Sequence, residues 1–97
     1  MKKNRFAVIV DDSTREQQNI ITEFLRGQEC SFWHYLSDVW LVYEIGKDWS
    51  AVILRDKLHE IMPTKTALVL KVPSGSGWAG FGPANVFKWV RESWSKE

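Results

Sequence analysis

The sequence predicts an α+β domain, a four-stranded antiparallel sheet with two packed helices, followed by an extra C-terminal helix. Four short runs are rich in β-branched and aromatic residues, and two stretches between them carry apolar residues at helical spacing. Their order is β-α-β-β-α-β, which with right-handed crossovers is the ferredoxin-like, or split βαβ, arrangement. At 97 residues the chain is one domain, residues 1–97, with a core over about residues 5–73 and a C-terminal loop and helix over about residues 74–96.

The first strand and helix are predicted from the beginning of the chain. Residues 6–10, Phe-Ala-Val-Ile-Val, form a continuous apolar run, typical of a strand at the centre of a sheet. Asp11 and Asp12 end this strand, and Ser13 with Glu16 three residues later is the pattern of a capping box. A helix is therefore expected to begin at Ser13 and to end near Gly27.

Residues 32–43 contain two apolar-aromatic runs separated by Ser37-Asp38, the pattern of a β-hairpin. A two-residue turn pairs Leu36 with Val39 and, four positions out from the turn, Trp33 with Val42. Because side chains alternate across a strand, this register places four side chains on one face: Trp33, Tyr35, Trp40 and Val42. We expect that face to be either the core of a dimer or the surface that the third helix covers.

The second half of the chain supplies the remaining elements. A second helix is predicted from an N-cap at Ser50 to a stop at Pro63, followed by a strand over residues 66–72. Pro83 suits a first helical turn, and Phe87, Val90 and Trp94 form the apolar stripe of the predicted third helix. The sequence leaves open whether that helix covers its own sheet or the sheet of a partner.

Composition narrows the function classes. No apolar run approaches the roughly 18 residues of a membrane span, and the basic N-terminus lacks an export-signal core, so we expect a cytoplasmic protein with no membrane partner. One cysteine, Cys30, excludes an internal disulfide, and with only His34 and His59 beside it there is no zinc-ligand spacing. A net charge of +1 gives no global reason to expect nucleic acid.

The candidate catalytic residues are Asp11 and Asp12, because paired carboxylates at the end of a strand could hold Mg²⁺ or Mn²⁺ for phosphodiester cleavage. The favoured interpretation is simpler: both residues stabilise the start of the following helix. His34 is expected to be a packed, hydrogen-bonded side chain instead of a catalytic base. Apart from the metal of the nuclease alternative, no cofactor is expected, and the sequence leaves a small-molecule ligand unspecified.

A module that binds single-stranded nucleic acid is another alternative. The hairpin aromatics could stack on unpaired bases, and basic residues near the first strand and helix could contact phosphates. These basic residues are Lys2, Lys3, Arg5, Arg15 and Arg26. The strands lack the Lys/Arg-Gly-Phe/Tyr signature of RNA-recognition domains, so aromatic residues at strand alternation are first expected to be core or interface residues.

Four segments together form a specific combination: Trp33-His34-Tyr35-Leu36-x-x-x-Trp40-Leu41-Val42, Ser50-Ala51-x-x-x-Arg55-Asp56-x-Leu58, Leu68-Val69-Leu70-Lys71-Val72 and Trp78-Ala79-Gly80-Phe81. In combination they resemble the small bacterial SinR-like family, whose members are similar at a distance to the small CRISPR adaptation subunit (CRISPR-associated protein two) and to the virulence-associated protein D family. The resemblance covers nearly the whole chain. It implies a ferredoxin-like fold and a homodimer packed through its sheet faces.

The resemblance also bears on the acidic pair. In the better-studied relatives, the aspartate that ends the first strand is the proposed metal ligand of a nuclease, one from each protomer at the dimer interface. Asp11, or alternatively Asp12, matches that position. The leading hypothesis is a non-catalytic homodimeric interaction module; the alternatives are a metal-dependent nuclease that uses Asp11 and a module for single-stranded nucleic acid.

Overall fold

The computed structural model describes residues 2–96. Its strands and helices follow in the order β1 (Lys3–Val10), α1 (Arg15–Gly27), β2 (Ser31–Leu36), β3 (Val39–Ile45), α2 (Ala51–Ile61) and β4 (Ala67–Val72). A short π-helical turn, Val90–Trp94, comes last. The predicted α+β class is confirmed, and the six main elements occur in the predicted succession.

The four strands form one antiparallel sheet in the order β2-β3-β1-β4. Phe6 of β1 lies opposite Val42 of β3, and Val8 of β1 lies opposite Val69 of β4. The central position predicted for the first strand is therefore confirmed, and β2 and β4 are the two edge strands.

The two faces of the sheet are covered by different parts of the chain. On the helix face, side chains of β1 and β3 pack against α1 and α2 in one buried cluster. That cluster includes Phe6, Val8, Trp40 and Val42 from the strands, with Ile21, Leu25, Leu54 and Leu58 from the helices. On the second face, residues 86–94 of the C-terminal segment (residues 74–96) pack against Trp33, Leu41 and Tyr43.

The predicted register of the hairpin is wrong beyond its first pair. Leu36 does lie opposite Val39, but Trp33 lies opposite Leu41 and Phe32 lies opposite Val42. A β-bulge between Trp33 and Leu36 causes the shift, because an extra residue on one strand moves every following side chain to the other face.

The start of α1 also differs from the prediction by one residue. Thr14, not Ser13, is the N-cap, and its hydroxyl accepts a hydrogen bond from the Gln17 main chain at 3.1 Å. The Gln17 side-chain oxygen accepts a hydrogen bond from the Thr14 N–H at 2.9 Å, which completes a capping box. Ser13 does not cap the helix, because its side chain and N–H bind Asp38 of the hairpin turn. The cap predicted for α2 is confirmed, since Ser50 accepts a hydrogen bond from the Ile53 N–H at 3.1 Å.

A buried carboxylate joins the sheet to the start of α2. Glu44 of β3 is 1% exposed, and its oxygens accept hydrogen bonds from the Asn4 side chain at 2.6 Å and from the Lys47 and Trp49 main chain at 2.8 Å each. Three donors compensate the desolvation of this charge, which has no cation beside it among these contacts. The turn that leads into α2 is thereby fixed to β1 and β3.

The third helix predicted from Pro83 onward is not confirmed. The regular helical part is limited to residues 88–94, of which Val90–Trp94 is a π turn whose Val90 carbonyl accepts the Ser95 N–H at 3.0 Å. Contacts with the sheet explain the difference, because the Val86 carbonyl accepts the indole N–H of Trp33 at 2.7 Å. In this segment, packing against the second face overrides the local helical pattern.

Cys30, directly before β2, is expected to be unreactive in the folded protein. It is buried, and burial raises the pKa of its thiol to about 11. Because the thiolate is the nucleophile, alkylation by iodoacetamide near about pH 8 should be slow in the native state and fast after unfolding in guanidinium chloride. Equal rates in both states would contradict this assignment.

The same shift has a pH signature in stability. The pKa of Cys30 is higher in the folded chain than its ordinary value of 9.0, so the unfolded chain loses this proton first as the pH rises. The contribution is therefore present below about pH 9 and is lost as the pH rises through about 11. Between these values the free energy of unfolding should fall more steeply for the wild type than for Cys30→Ala.

Candidate functional site

The second face of the sheet is only partly covered. Three apolar side chains beyond the reach of the C-terminal segment stay exposed: Ile9 at 37%, Leu68 at 53% and Leu70 at 48%. They are neighbours, because Ile9 lies opposite Leu68 and Ala7 lies opposite Leu70 in the β1–β4 pairing. We call Ala7, Ile9, Leu68 and Leu70 the open strip.

The open strip lies at an unprotected edge of the sheet. Within residues 2–96, no strand pairs with the outer side of β4. Lys71 is opposite Phe6 and so lies on the helix face, which leaves the open strip without a charged side chain. β4 itself carries one charge, Lys71, on the helix face, so the apolar character belongs to the strip on the second face; an exposed apolar patch of this kind is a candidate surface for association.

The four side chains predicted to share one face of the hairpin are divided between both faces. Trp40 and Val42 are fully buried on the helix face. Trp33 is buried on the second face beneath the C-terminal segment, and Tyr35 is 60% exposed. The bulge in β2 is the physical reason, since it places Trp33 on the side opposite to Trp40.

Aromatic contacts hold the C-terminal segment on the second face of its own chain. Trp33 stacks on Phe87 with ring centroids 5.9 Å apart, and Tyr43 stacks on Trp89 at 5.7 Å. Val90 and Trp94 are buried. The C-terminal segment therefore covers the second face of its own chain, where it packs on Trp33 and Tyr43.

Two of the predicted nucleic-acid contacts anchor this segment instead. Lys3 donates to the carbonyl oxygens of Ser93 and Lys96, and Arg5 donates to those of Trp94 and Lys96. Arg5 is only 5% exposed, and burial, followed by the charge of Arg5, lowers the pKa of Lys3. These cations satisfy carbonyl groups at the end of the π turn, where a cation is electrostatically favoured.

The remaining basic residues do not form one rim. Lys2 is exposed beside Lys3, whereas Arg15 begins α1 beyond the opposite end of β1. Arg26 pairs with Glu23 at 2.6 Å, with its guanidinium 5.7 Å from the ring centre of Phe32. The five predicted phosphate contacts are therefore distributed over both ends of the domain.

Asp11 and Asp12 are exposed and do not cap α1, because Thr14 has that role. Their main chain is held instead: the Lys65 ammonium donates to the Asp12 carbonyl at 2.6 Å and to the Asp11 carbonyl at 3.3 Å. Among the described residues, no group of three or more His, Cys, Asp and Glu side chains is placed to hold a metal ion. The donors of one chain therefore do not fit the Mg²⁺ site of the nuclease alternative.

The tip of the hairpin is fixed to the start of α1. The Asp38 carboxylate accepts hydrogen bonds from the Ser13 hydroxyl at 2.5 Å and from the Ser13 N–H at 2.9 Å. The side-chain bond first, and then the main-chain bond, lower the pKa of Asp38. The Val10 N–H also donates to the Asp38 carbonyl, at 2.8 Å. Ser13 and Asp38 are thus structural residues beside the acidic pair.

His34 is confirmed as a packed, hydrogen-bonded side chain. Its ring stacks on Trp40 with centroids 4.0 Å apart and planes 2° from parallel. Nδ1 lies 3.0 Å from the Val39 carbonyl oxygen, and Nε2 lies 3.3 Å from Oε1 of Gln18. Both ring nitrogens face acceptor atoms within the fold.

Sequence reasoning missed the open strip as a site. A sequence signal for the strip was present, because residues 67–70 form a continuous apolar run without alternation. Such a run is typical of a strand that is covered on both faces. What the sequence did not specify was that this strand is an edge and that the C-terminal segment stops short of it.

No family model, curated protein or solved structure matches this chain. No described helix is long and apolar enough to cross a membrane.

We expect the Ser13–Asp38 contact to give a characteristic acid dependence of stability. Because the pKa of Asp38 is lowered on folding, its contribution to the free energy of unfolding is present above its ordinary value of 3.8 and is lost as the pH falls through the lowered value. Asp38→Asn should therefore lower the urea midpoint at about pH 7, and this difference should shrink at about pH 2.

Asp56→Asn is the matched control, because this carboxylate is exposed and bonds only to the neighbouring Arg55 in the contacts described. It should change the midpoint little at either pH. A pH-independent effect of Asp38→Asn would contradict the role of its charge.

Proposed function

We propose that this chain is a cytoplasmic, ferredoxin-like interaction module that forms a homodimer through the open strip. The observation that carries the proposal is the contiguous apolar surface of Ile9, Leu68 and Leu70 on a sheet face that is covered elsewhere. Exposed apolar patches on small domains mark interaction sites, and a sheet face of this kind is stabilised by a second apolar layer.

The shape of the second face favours a second copy of this chain as the occupant. The C-terminal segment packs on β2, β3 and the Lys3–Arg5 end of β1, so the open strip is recessed beside it. A helical layer is about 10 Å thick, and two packed sheets are about 10 Å apart. Two copies related by a two-fold axis can therefore stack strip on strip, with each C-terminal segment beside the other's β4 edge.

The charges are compatible with self-association. The open strip carries no ionic group, and the whole chain has a net charge of +1, so two copies repel each other weakly. Self-pairing also accounts for the tolerance of an apolar edge, because the partner would shield β4 from further strands.

We also propose that the α+β domain has the ferredoxin-like arrangement. The strand order β2-β3-β1-β4, with α1 between β1 and β2 and α2 between β3 and β4, supports the ferredoxin-like arrangement. The resemblance to the SinR-like family supports a dimer through sheet faces. Here the apolar contacts would come from β1 and β4, since Trp33 and Trp40 of the hairpin are already buried in their own chain.

The metal-dependent nuclease remains the second candidate for one specific reason. The open strip ends two residues before Asp11, and Ile9, Leu68, Asp11 and Asp38 line the same surface depression. A dimer formed through the strip would bring Asp11 near the edge of the interface, where the partner could supply the donors that one chain lacks.

The dimer prediction is tested by mass. Wild-type protein should sediment at twice its chain mass of 11.3 kDa, and the double variant Leu68→Lys/Leu70→Lys should sediment as a folded monomer. A lysine pair desolvated at the interface strongly opposes association, whereas in the free chain both side chains reach water. The mass is measured by analytical ultracentrifugation between about 10 and 200 μM, where a complex with a Kd of about 1 μM or lower is mostly dimeric.

The control is Val52→Lys/Ile53→Lys, which changes two exposed apolar side chains of α2 at 54% and 41% exposure. It should stay dimeric, because α2 lies on the helix face. A monomeric wild type at the highest concentration, or a dimeric strip variant, would refute the proposal.

The nuclease candidate has its own readout. Single-stranded and duplex RNA and DNA are incubated with Mg²⁺ or Mn²⁺ and either wild type or Asp11→Asn, with Asp56→Asn as the matched carboxylate control. If the chain is an interaction module without nuclease activity, no RNA or DNA fragments should form in the presence of either metal. Cleavage that Asp11→Asn abolishes and Asp56→Asn retains would establish the second candidate, and salt-sensitive binding without cleavage would favour the nucleic-acid module.

A further inference from the structure

A cleft opens on the helix face between α1, α2 and β4. Its volume is about 250 Å³, and its floor is apolar. The floor comprises Val10, Ile21, Leu58, Met62, Ala67 and Val69. At about 30 Å³ for each water-sized unit, this space holds roughly eight non-hydrogen atoms. The cleft is therefore large enough for a short alkyl chain or a single ring.

The rim of this cleft is basic. Arg55 and His59 of α2 and Lys65 of the following loop line it, together with Thr66, and none of its lining residues is acidic. The Arg55 guanidinium binds Asp56 through Nε and Nη2, and Lys65 donates to the main-chain oxygens of Asp11 and Asp12. The Lys65 ammonium is thus held against the Asp11–Asp12 main chain, while the Lys65 side chain lines the mouth of the cleft.

We propose that the cleft binds a small molecule that has an apolar body and one anionic head group, of the class of a medium-chain carboxylate. The apolar floor accounts for the body, and the cations at the mouth account for the head group. Ligand sites of this type combine a mostly apolar lining with a few convergent polar groups. The proposal is independent of the dimer, because the cleft lies on the helix face and the open strip on the second face.

Three ligands with the same chain and different head groups test the chemistry: octanoate, 1-octanol and octylamine. Titrations followed by ¹H–¹⁵N NMR should show octanoate shifting the amides of His59, Thr66 and Ala67, with a Kd at least about tenfold lower than that of octylamine. The alcohol should bind at the same place with intermediate affinity, because it keeps the apolar body.

Two kinds of variant separate the floor from the rim. Met62→Trp adds volume to the floor and should abolish binding of all three ligands. Lys65→Met and Arg55→Met each keep the alkyl stem, so each should weaken octanoate about three- to tenfold without weakening octanol. Lys57→Met is the control, because this α2 lysine lies over the Trp49 ring at 5.6 Å and does not line the cleft.

Circular dichroism is used to check that each variant is folded, and the Arg55 variant remains informative if removal of Lys65 disturbs the Asp11–Asp12 turn. Equal affinity for octanoate and octylamine would overturn the anionic head group. Shifts confined to Ile9 and Leu68, or octanoate binding that survives Met62→Trp, would overturn the cleft itself. The Leu68→Lys/Leu70→Lys monomer should still bind octanoate, so failure of either proposal leaves the other testable.

Discussion

The carbonyl oxygens of Ser93, Trp94 and Lys96 are held by Lys3 and Arg5 of β1, and this contact determines how the second face of the sheet is completed. The strands present apolar side chains on both sides, whereas α1 and α2 cover only one. The C-terminal segment covers part of the second face, and its aromatic rings stay packed there because the end of the segment is anchored. A buried guanidinium that donates to main-chain oxygens supplies that anchor and satisfies groups that a helix terminus leaves unpaired.

Much of this architecture could be predicted from local pattern. The apolar run of β1, the Ser50 cap and the helical spacing in α2 follow from residue types alone, and each was predicted correctly. The bulge in β2, the shift of the N-cap from Ser13 to Thr14 and the π turn could not be predicted in this way. Each depends on a partner distant in sequence: Ser13 is committed to Asp38, and residues 86–96 to Trp33, Lys3 and Arg5. Such contacts leave no periodic signal.

The candidate sites show the same division. The sequence identified the acidic pair by residue type, and the structure shows both residues exposed at the end of β1, with their main chain held by Lys65. The open strip and the cleft depend instead on what is left uncovered. An edge position for β4 and a gap between two helices are properties of topology and packing. The two faces thereby separate the proposed roles: association through the second face and ligand binding beneath the helices.

The bulge in β2 also has a consequence for the folding pathway. The unbulged register that the sequence predicts, built on a two-residue turn, competes locally with the native bulged register, because both start from the same Leu36–Val39 pair. A chain that closes without the bulge directs Trp33 toward α1, so the C-terminal segment loses its indole donor and its stacking partner. Such a hairpin has to reopen before the second face can be covered. Docking of residues 86–94 on Trp33 therefore favours the bulged register over the local one.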